Sequence, residues 1–418
     1  MKFIQLKDIT SDEKYSIVDG PFGSSMKTSD YVIEGIPVLQ GKNITGNKFN
    51  FADIRFISEK KAYELSRSKV IVGDYLLVKI GSIGYLARID TLGEYEYAII
   101  PANLAKIKID EKKIHPGYFE QVFKQEFIKR KLINLSSKTA QPALSLGKIR
   151  SFEIPIPEQF EDQFHIANIL GCAENLITQR KKSILLLDEF LKSTFFEMFG
   201  DPVKNEKRFK ITELGKLGSW KSGGTPSRAK KEYFNGNVYW LTSGELNEMF
   251  ISDSKEKISN DAISNSNAKE IPIYSLLLGM YDTAALKSSI NLKIVTCNQA
   301  IAYAKLDDTL CNTVYVYFSI QIGKEYFRSQ QRGVRQKNMN LSMIKGLKIS
   351  LPPLGLQTQF ANIVEKTEVL KAQYQFSLQE LENLYSSLSQ RAFKGELNAK
   401  DEEMLMAAEP IVKYTSIQ

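Results

Sequence analysis

Apolar residues recur at every third or fourth position through two stretches of the chain. In the first, Ile166, Leu170, Ala173, Ile177, Ile184, Leu187, Leu191, Thr194 and Met198 mark the stripe, with Arg180 interrupting it. In the second, Phe360, Val364, Tyr374, Leu378, Leu381, Tyr385, Leu388 and Ala392 do the same, interrupted by Thr367 and Lys371. Neither stretch holds a proline, and a stripe at this spacing is a packing seam. A helix of about 40 residues rises roughly 60 Å, far more than an ordinary globular helix. Two such helices best bury their stripes against each other. The pattern predicts long helices over 158–201 and 353–398, with a tail from 399 to 418.

The two stretches are also copies of one another. AQPALSLGKIRSFEIPIP at 140–157 returns as RQKNMNLSMIKGLKISLP at 335–352, which aligns Gln141 with Gln336, Leu146 with Leu341, Ile149 with Ile344 and Pro157 with Pro352. QFHIANIL at 163–170 then faces QTQFANIV at 357–364, and the register runs on without a gap through Leu187 and Leu381 to Phe199 and Phe393. A gapless match of that length suits a continuous helix. The intervening blocks, 1–157 and 202–352, alternate differently. Runs such as IPVLQ, YLLVKI, AKIKI and VYVYFSI read as strands, with short helices near 117–133 and 321–331. The order is block, helix, block, helix: an α+β chain of two pseudo-repeated mixed α/β domains joined by two long helices.

Charge sharpens this division. Residues 1–157 carry 24 Lys and Arg against 18 Asp and Glu, and residues 205–352 carry 21 against 13. The segments 158–204 and 353–418 are net acidic, with 5 against 8 and 6 against 9. Basic blocks alternating with acidic spacers fit two polyanion-binding units. The three cysteines are scattered, which argues against a disulfide framework or a CxxC metal site, and only two histidines are present. No apolar run is long enough to span a bilayer, and MKFIQLKDITSDEK lacks the apolar core of a secretion signal. A cytoplasmic protein without membrane contact is expected.

Catalytic signals are missing. There is no GxxxxGK[ST] phosphate loop and no Asn-Pro-Pro-aromatic tetrapeptide. Asp53, Glu59 and Lys61 only loosely imitate a metal-dependent nuclease triad. Side chains able to read base edges, by contrast, gather just before the repeated strands, in SSKTAQPALS at 136–145 and SQQRGVRQKNMN at 329–340. Arg pairs with guanine edges, and Gln or Asn with adenine. The foremost candidates for DNA contact are Lys138, Thr139 and Gln141 in the first block, and Arg332, Arg335, Gln336, Lys337 and Asn338 in the second. Lys42, Asn43, Lys79, Ser82, Lys221, Arg228, Ser243 and Tyr281 lie on further loops that could join them. Gly20, Gly23, Gly223 and Gly224 are expected to shape turns.

Particular segments carry a family resemblance over nearly the whole chain. DGPFGSS at 19–25 precedes GIPVLQGKNI at 35–44 and GDYLLVKIGSIG at 73–84, while SGGTPSR at 222–228 precedes VYWLTSGEL at 238–246. With LPPLGLQTQFANIV at 351–364 and FKGEL at 393–397, these resemble the specificity subunit of Type I restriction-modification enzymes. The resemblance implies that each basic block is a target recognition domain for half of a split site on double-stranded DNA. It implies an antiparallel coiled coil that holds the domains apart and docks two methyltransferase subunits, with restriction or translocase subunits joining in some complexes. The chain itself would be non-catalytic and hold no cofactor, with S-adenosylmethionine, ATP and magnesium on its partners. MYDTAA at 280–285 departs from KIGSIG at 79–84, so the two loops need not make equivalent contacts. The other readings are a coiled-coil scaffold with protein-binding globular ends, and a nuclease built on Asp53, Glu59 and Lys61. The apolar faces of Phe195, Phe196, Phe199 and Phe393 are expected to need a partner to cover them.

Overall fold

A computed structural model describes residues 1–21, 25–137, 140–281, 285–329 and 338–397. In chain order its α-helices are α1 (Glu59–Glu64), α2 (Pro116–Lys124), α3 (Glu126–Leu135), α4 (Leu146–Arg150), α5 (Phe160–Phe199), α6 (Asn260–Ser264), α7 (Thr313–Ile322), α8 (Lys324–Ser329), α9 (Leu341–Lys345) and α10 (Leu354–Lys394). The 40-residue α5 and 41-residue α10 are continuous. Contacts divide the chain into two compact units, one joining Met1–Arg180 to the stretch from Ser377 onward, the other Lys181–Phe376. Each long helix therefore starts in the unit of the block before it and ends in the other unit.

In the first unit an antiparallel four-stranded sheet runs in the order Leu86–Arg88, Tyr75–Val78, Leu104–Ile107, Ile17–Asp19. A five-stranded mixed sheet lies beside it in the fold, and Lys2–Gln5 pairs with Glu153–Ile156. The second unit repeats the plan. Its five-stranded sheet is ordered Lys221–Ser222, Ile301–Ala304, Leu276–Gly279, Ser288–Asn291, Phe250–Ile251, and Lys210–Glu213 pairs with Lys348–Leu351. The first strand of each block thus closes on its last, which brings the block's start back beside the start of its long helix.

The same polar contacts lock block to helix in both units. The buried Gln163 accepts a hydrogen bond from the His115 N–H at 2.8 Å, and the buried Gln357 accepts one from the Asn312 N–H at 2.9 Å. The Tyr118 hydroxyl donates to the Pro155 carbonyl at 2.7 Å, and the Tyr315 hydroxyl to the Ser350 carbonyl at 2.7 Å. His115 and Asn312 are the N-caps of α2 and α7, where an N–H has no partner within the helix. A glutamine from the long helix supplies one.

The arriving helix ends pack on unlike surfaces. In the first unit Tyr385 lies 3.3 Å from Glu174 and 3.2 Å from Gln121, Ser389 donates to Gln125 at 2.6 Å, and Lys124 meets Glu174 at 2.6 Å. In the second unit Phe195 stacks on Tyr315 with centroids 5.8 Å apart and meets Phe360 edge-on at 5.4 Å, while Phe199 meets Tyr315 at 4.8 Å. Phe195 and Phe199 are therefore buried within the second unit and need no other cover, contrary to the sequence expectation, whereas Phe196 is exposed. Phe393 is half-buried against Tyr118 and Phe127.

Two strand and helix expectations are corrected. VYVYFSI, read as a strand, lies in α7, whose first turn is capped by the Asn312 side chain accepting from Val314 at 2.9 Å. Thr313, Val314, Tyr315, Val316, Ser319 and Ile320 are all buried, so the helix has no polar face to announce its period. The helix expected near 117–133 is two, broken where Gln125 adopts extended backbone. Because Gln357 satisfies the Asn312 N–H and donates to the Pro352 carbonyl at 2.7 Å, Gln357→Ala should cost about 1–3 kcal/mol. Denaturant unfolding with residue-level hydrogen exchange checks this: protection should fall in α7 first, and equal loss in α2 would contradict the assignment.

Candidate nucleic-acid interface

Two of the loops singled out in the sequence meet at a backbone junction in each unit. In the first, Lys79 donates its N–H to the Asn103 carbonyl at 2.9 Å and accepts from the Leu144 N–H at 2.9 Å. In the second, Met280 donates to the Ala300 carbonyl at 2.9 Å and accepts from the Met339 N–H at 2.7 Å. Bridges Ile80 to Ala143 and Tyr281 to Asn338 continue each junction. The loop that leaves the central strand is thereby joined to the loop that precedes the last helix and strand. The departure of MYDTAA from KIGSIG does not alter this backbone bonding.

The candidate residues that the structure describes fall into three groups by their surroundings. Ser82, Gln141, Lys221 and Tyr281 are exposed, and Ser243 and Asn338 are half-buried, Ser243 opening the turn Ser243–Glu245. Lys42 is exposed but pairs with Asp53 at 2.8 Å, and that hydrogen bond holds the Asp53 carboxyl below its usual range. Arg228 makes a two-pronged contact with Glu256, both distances 2.7 Å, and lies over the rings of Phe234 and Trp240 at 4.2 and 5.0 Å. The shared hydrogen bonds raise the Arg228 pKa and lower that of Glu256.

Asn43 and Lys79 are buried, which sequence position did not reveal. Asn43 donates to the carbonyls of Asn50 and Ala52, both at 2.9 Å, and accepts from the Gln40 N–H at 2.8 Å, so its amide is spent on the turn. Lys79 is 4% exposed and ion-paired to Asp19 at 2.5 Å. Lys138, Thr139, Arg332, Arg335, Gln336 and Lys337 lie outside the described residues. Among the described residues no cluster of three His, Cys, Asp or Glu side chains could hold a metal ion. Lys61, of the imagined nuclease triad, instead pairs with Glu64 at 3.2 Å.

The profile of the Type I restriction modification DNA specificity domain matches residues 23–186 and again 203–381. The chain belongs to the Type I restriction-modification specificity subunits. It is 20% identical to the MjaIX specificity subunit of Methanocaldococcus jannaschii over 94% of both chains. It is 22% identical to the StySPI specificity subunit of Salmonella potsdam over 87% of this chain and 83% of that one. Its match to the putative MjaX specificity subunit of M. jannaschii, at 25% identity, spans only 43% of that relative. The S subunit of M. genitalium shares the fold with a TM-score of 0.56 at 12% identity, over 94% of this chain and 96% of that one. No helix among the described residues is long and apolar enough to cross a membrane.

Several cations of the specificity subunit lie over aromatic rings contributed by distant sequence, which no local motif could announce. Lys129 sits 4.1 Å over Tyr85 beside the Gly84 turn, and Tyr239 lies between Lys257 and Lys293 at 4.8 and 5.1 Å. The glycines expected to make turns include two that permit backbone contact. A Cβ on Gly20 would sit 2.0 Å from the Ile100 carbonyl oxygen, and one on Gly223 would sit 2.3 Å from that of Cys297. These are equivalent positions in the two units, at the ends of the strands Ile17–Asp19 and Lys221–Ser222. Gly20→Ala and Gly223→Ala should each destabilise their own unit by about 1–3 kcal/mol or more. Gly171→Ala in α5, with open space at its Cβ, should stabilise by about 0.5–1 kcal/mol. Unfolding midpoints check the contrast, and a Gly20→Ala protein as stable as wild type would contradict it.

Proposed function

We propose that the subunit reads a split, asymmetric target on double-stranded DNA, one half with each basic block. The observation that carries this reading is the junction built twice with the same backbone bonds but unlike side chains, Lys79 and Asn103 in one unit, Met280 and Ala300 in the other. Equivalent frames with different chemistry suit two different half-sites. Lys42, Ser82, Lys138, Thr139 and Gln141 would serve the first. Lys221, Arg228, Ser243, Tyr281, Arg332, Arg335, Gln336, Lys337 and Asn338 would serve the second. Lysines and arginines supply salt-sensitive phosphate contacts, while the paired donors and acceptors of Arg, Gln and Asn discriminate bases. Arg228 must first exchange Glu256 for a phosphate or base.

In this reading α5 and α10 form an antiparallel coiled coil that fixes the number of unread bases between the half-sites, and the repeat lets two identical methyltransferase subunits bind one chain. Half-sites read from one face of B-DNA would lie about 34 Å apart, one turn of the duplex. Restriction subunits would join through the same assembly. S-adenosylmethionine, ATP and magnesium would reside on the partners, and this chain would perform no bond-making step. The expected setting is the cytoplasm.

Single-molecule sequencing of DNA methylation, in cells carrying this chain with and without a methyltransferase partner, tests the reading. A split asymmetric motif requiring both proteins is expected. An active methyltransferase that forms a stable complex yet marks no such motif would overturn it in favour of a scaffold. Lengthening α5 and α10 together by one turn should change the spacer and leave both half-sites as they were; an unchanged spacer would remove the ruler.

A further inference from the structure

The geometry points to Lys79 as a positioning residue for the first half-site, whose ammonium stays on Asp19 when DNA binds; this rests on the two-block reading above. Its side chain is 5% exposed and that of Asp19 13%, with Nζ 2.5 Å from Oδ2. Arg67 stands 3.7 Å from the other carboxylate oxygen, so Asp19 keeps a second, weaker cationic neighbour. The Asp19 backbone is itself fixed, because its carbonyl accepts from the Ser68 hydroxyl at 3.2 Å and its strand pairs with Leu104–Ile107. Lys79 is thus held at three points. Its ammonium is on Asp19, its N–H is on Asn103, and its carbonyl receives Leu144.

These contacts place the start of the 79–84 loop and the return of the Gln141 loop on one support. Ser82 and Gln141 then project from loops whose bases cannot move independently. In the second unit the equivalent Met280 makes the same two backbone bonds and is 3% exposed, so an apolar side chain anchors the junction by burial alone. The position therefore needs an anchor suited to its unit: Met280 packs into an apolar core, whereas a methionine at 79 would leave the Asp19 carboxylate without its nearest cation. A buried lysine with an ideal carboxylate partner would lose that partner and expose Asp19 if it reached for a phosphate.

The test uses the full chain with its methyltransferase partner and duplexes carrying the methylated motif or a single altered base in either half. Two quantities are read, discrimination at each half-site and the slope of log binding constant against log salt. Lys79→Met should lower discrimination at the first half-site at least tenfold, with the second unchanged and the salt slope as in wild type. Asp19→Asn, which keeps the lysine charge, should give the same selective loss, and the double variant should be no worse than either single one. A phosphate contact gives the opposite pattern. Lys79→Met would then weaken all sequences alike and reduce the slope by about 0.9, and Asp19→Asn would bind as tightly as wild type or tighter. Wild-type hydrogen-exchange protection of Tyr75–Val78 and Leu104–Ile107 in the first unit confirms folding, and if Lys79→Met does not fold, Asp19→Asn decides alone. Failure of the underlying reading is visible separately, as wild-type protein without preference at either half-site.

Discussion

A buried glutamine at the start of each long helix fixes where a recognition block sits. Gln163 and Gln357 are 3% and 0% exposed, and an amide so placed is costly unless it is bonded. The partner in each case is the backbone N–H at the N-cap of the block's own helix, α2 or α7. That one requirement ties block to helix, and a tyrosine of α2 or α7 completes it by donating its hydroxyl to a carbonyl of the block's last strand. The paired first and last strands and the loop junction then follow in the same relation in both units.

What differs between the units is the seat for the arriving helix. Gln121, Gln125 and Glu174 receive Tyr385 and Ser389 through hydrogen bonds, whereas Tyr315, Phe318 and Phe360 receive Phe195 and Phe199 through aromatic contact. Exchanging the helix ends would bury Gln121 and Gln125 under phenyl rings and leave Ser389 against Phe318. Unsatisfied polar groups make such mispairing unfavourable by several kcal/mol in order of magnitude. The repeat is thus symmetric where function needs equivalent frames, and asymmetric where assembly needs the α5 end in one unit and the α10 end in the other.

The repeat and the long helices were legible because a gapless register at an offset of 194 residues and a sustained helical period survive divergence. Local chemistry was less so. VYVYFSI has the β-branched and aromatic composition of a strand, yet tertiary burial on all sides and the Asn312 cap make it α7. Lys79 and Asn43 looked like loop donors since sequence does not show that Asp19 stands 60 residues away in a buried pair, or that a short turn consumes the Asn43 amide. Cation–aromatic pairs such as Lys129 with Tyr85 join distant segments and leave no spacing to read. The glutamines were visible as identities in the repeat, but only the structure gives them their partners.

The central claim is that two equivalent frames carry two different readers on one chain. Base-by-base interference footprinting of the assembled complex tests it most directly, with each guanine and adenine of a bound duplex modified in turn. The account predicts two separate clusters of interfering bases, unlike in sequence, with an insensitive gap between them. A single continuous cluster, or sensitivity confined to phosphates with no base effect, would contradict it.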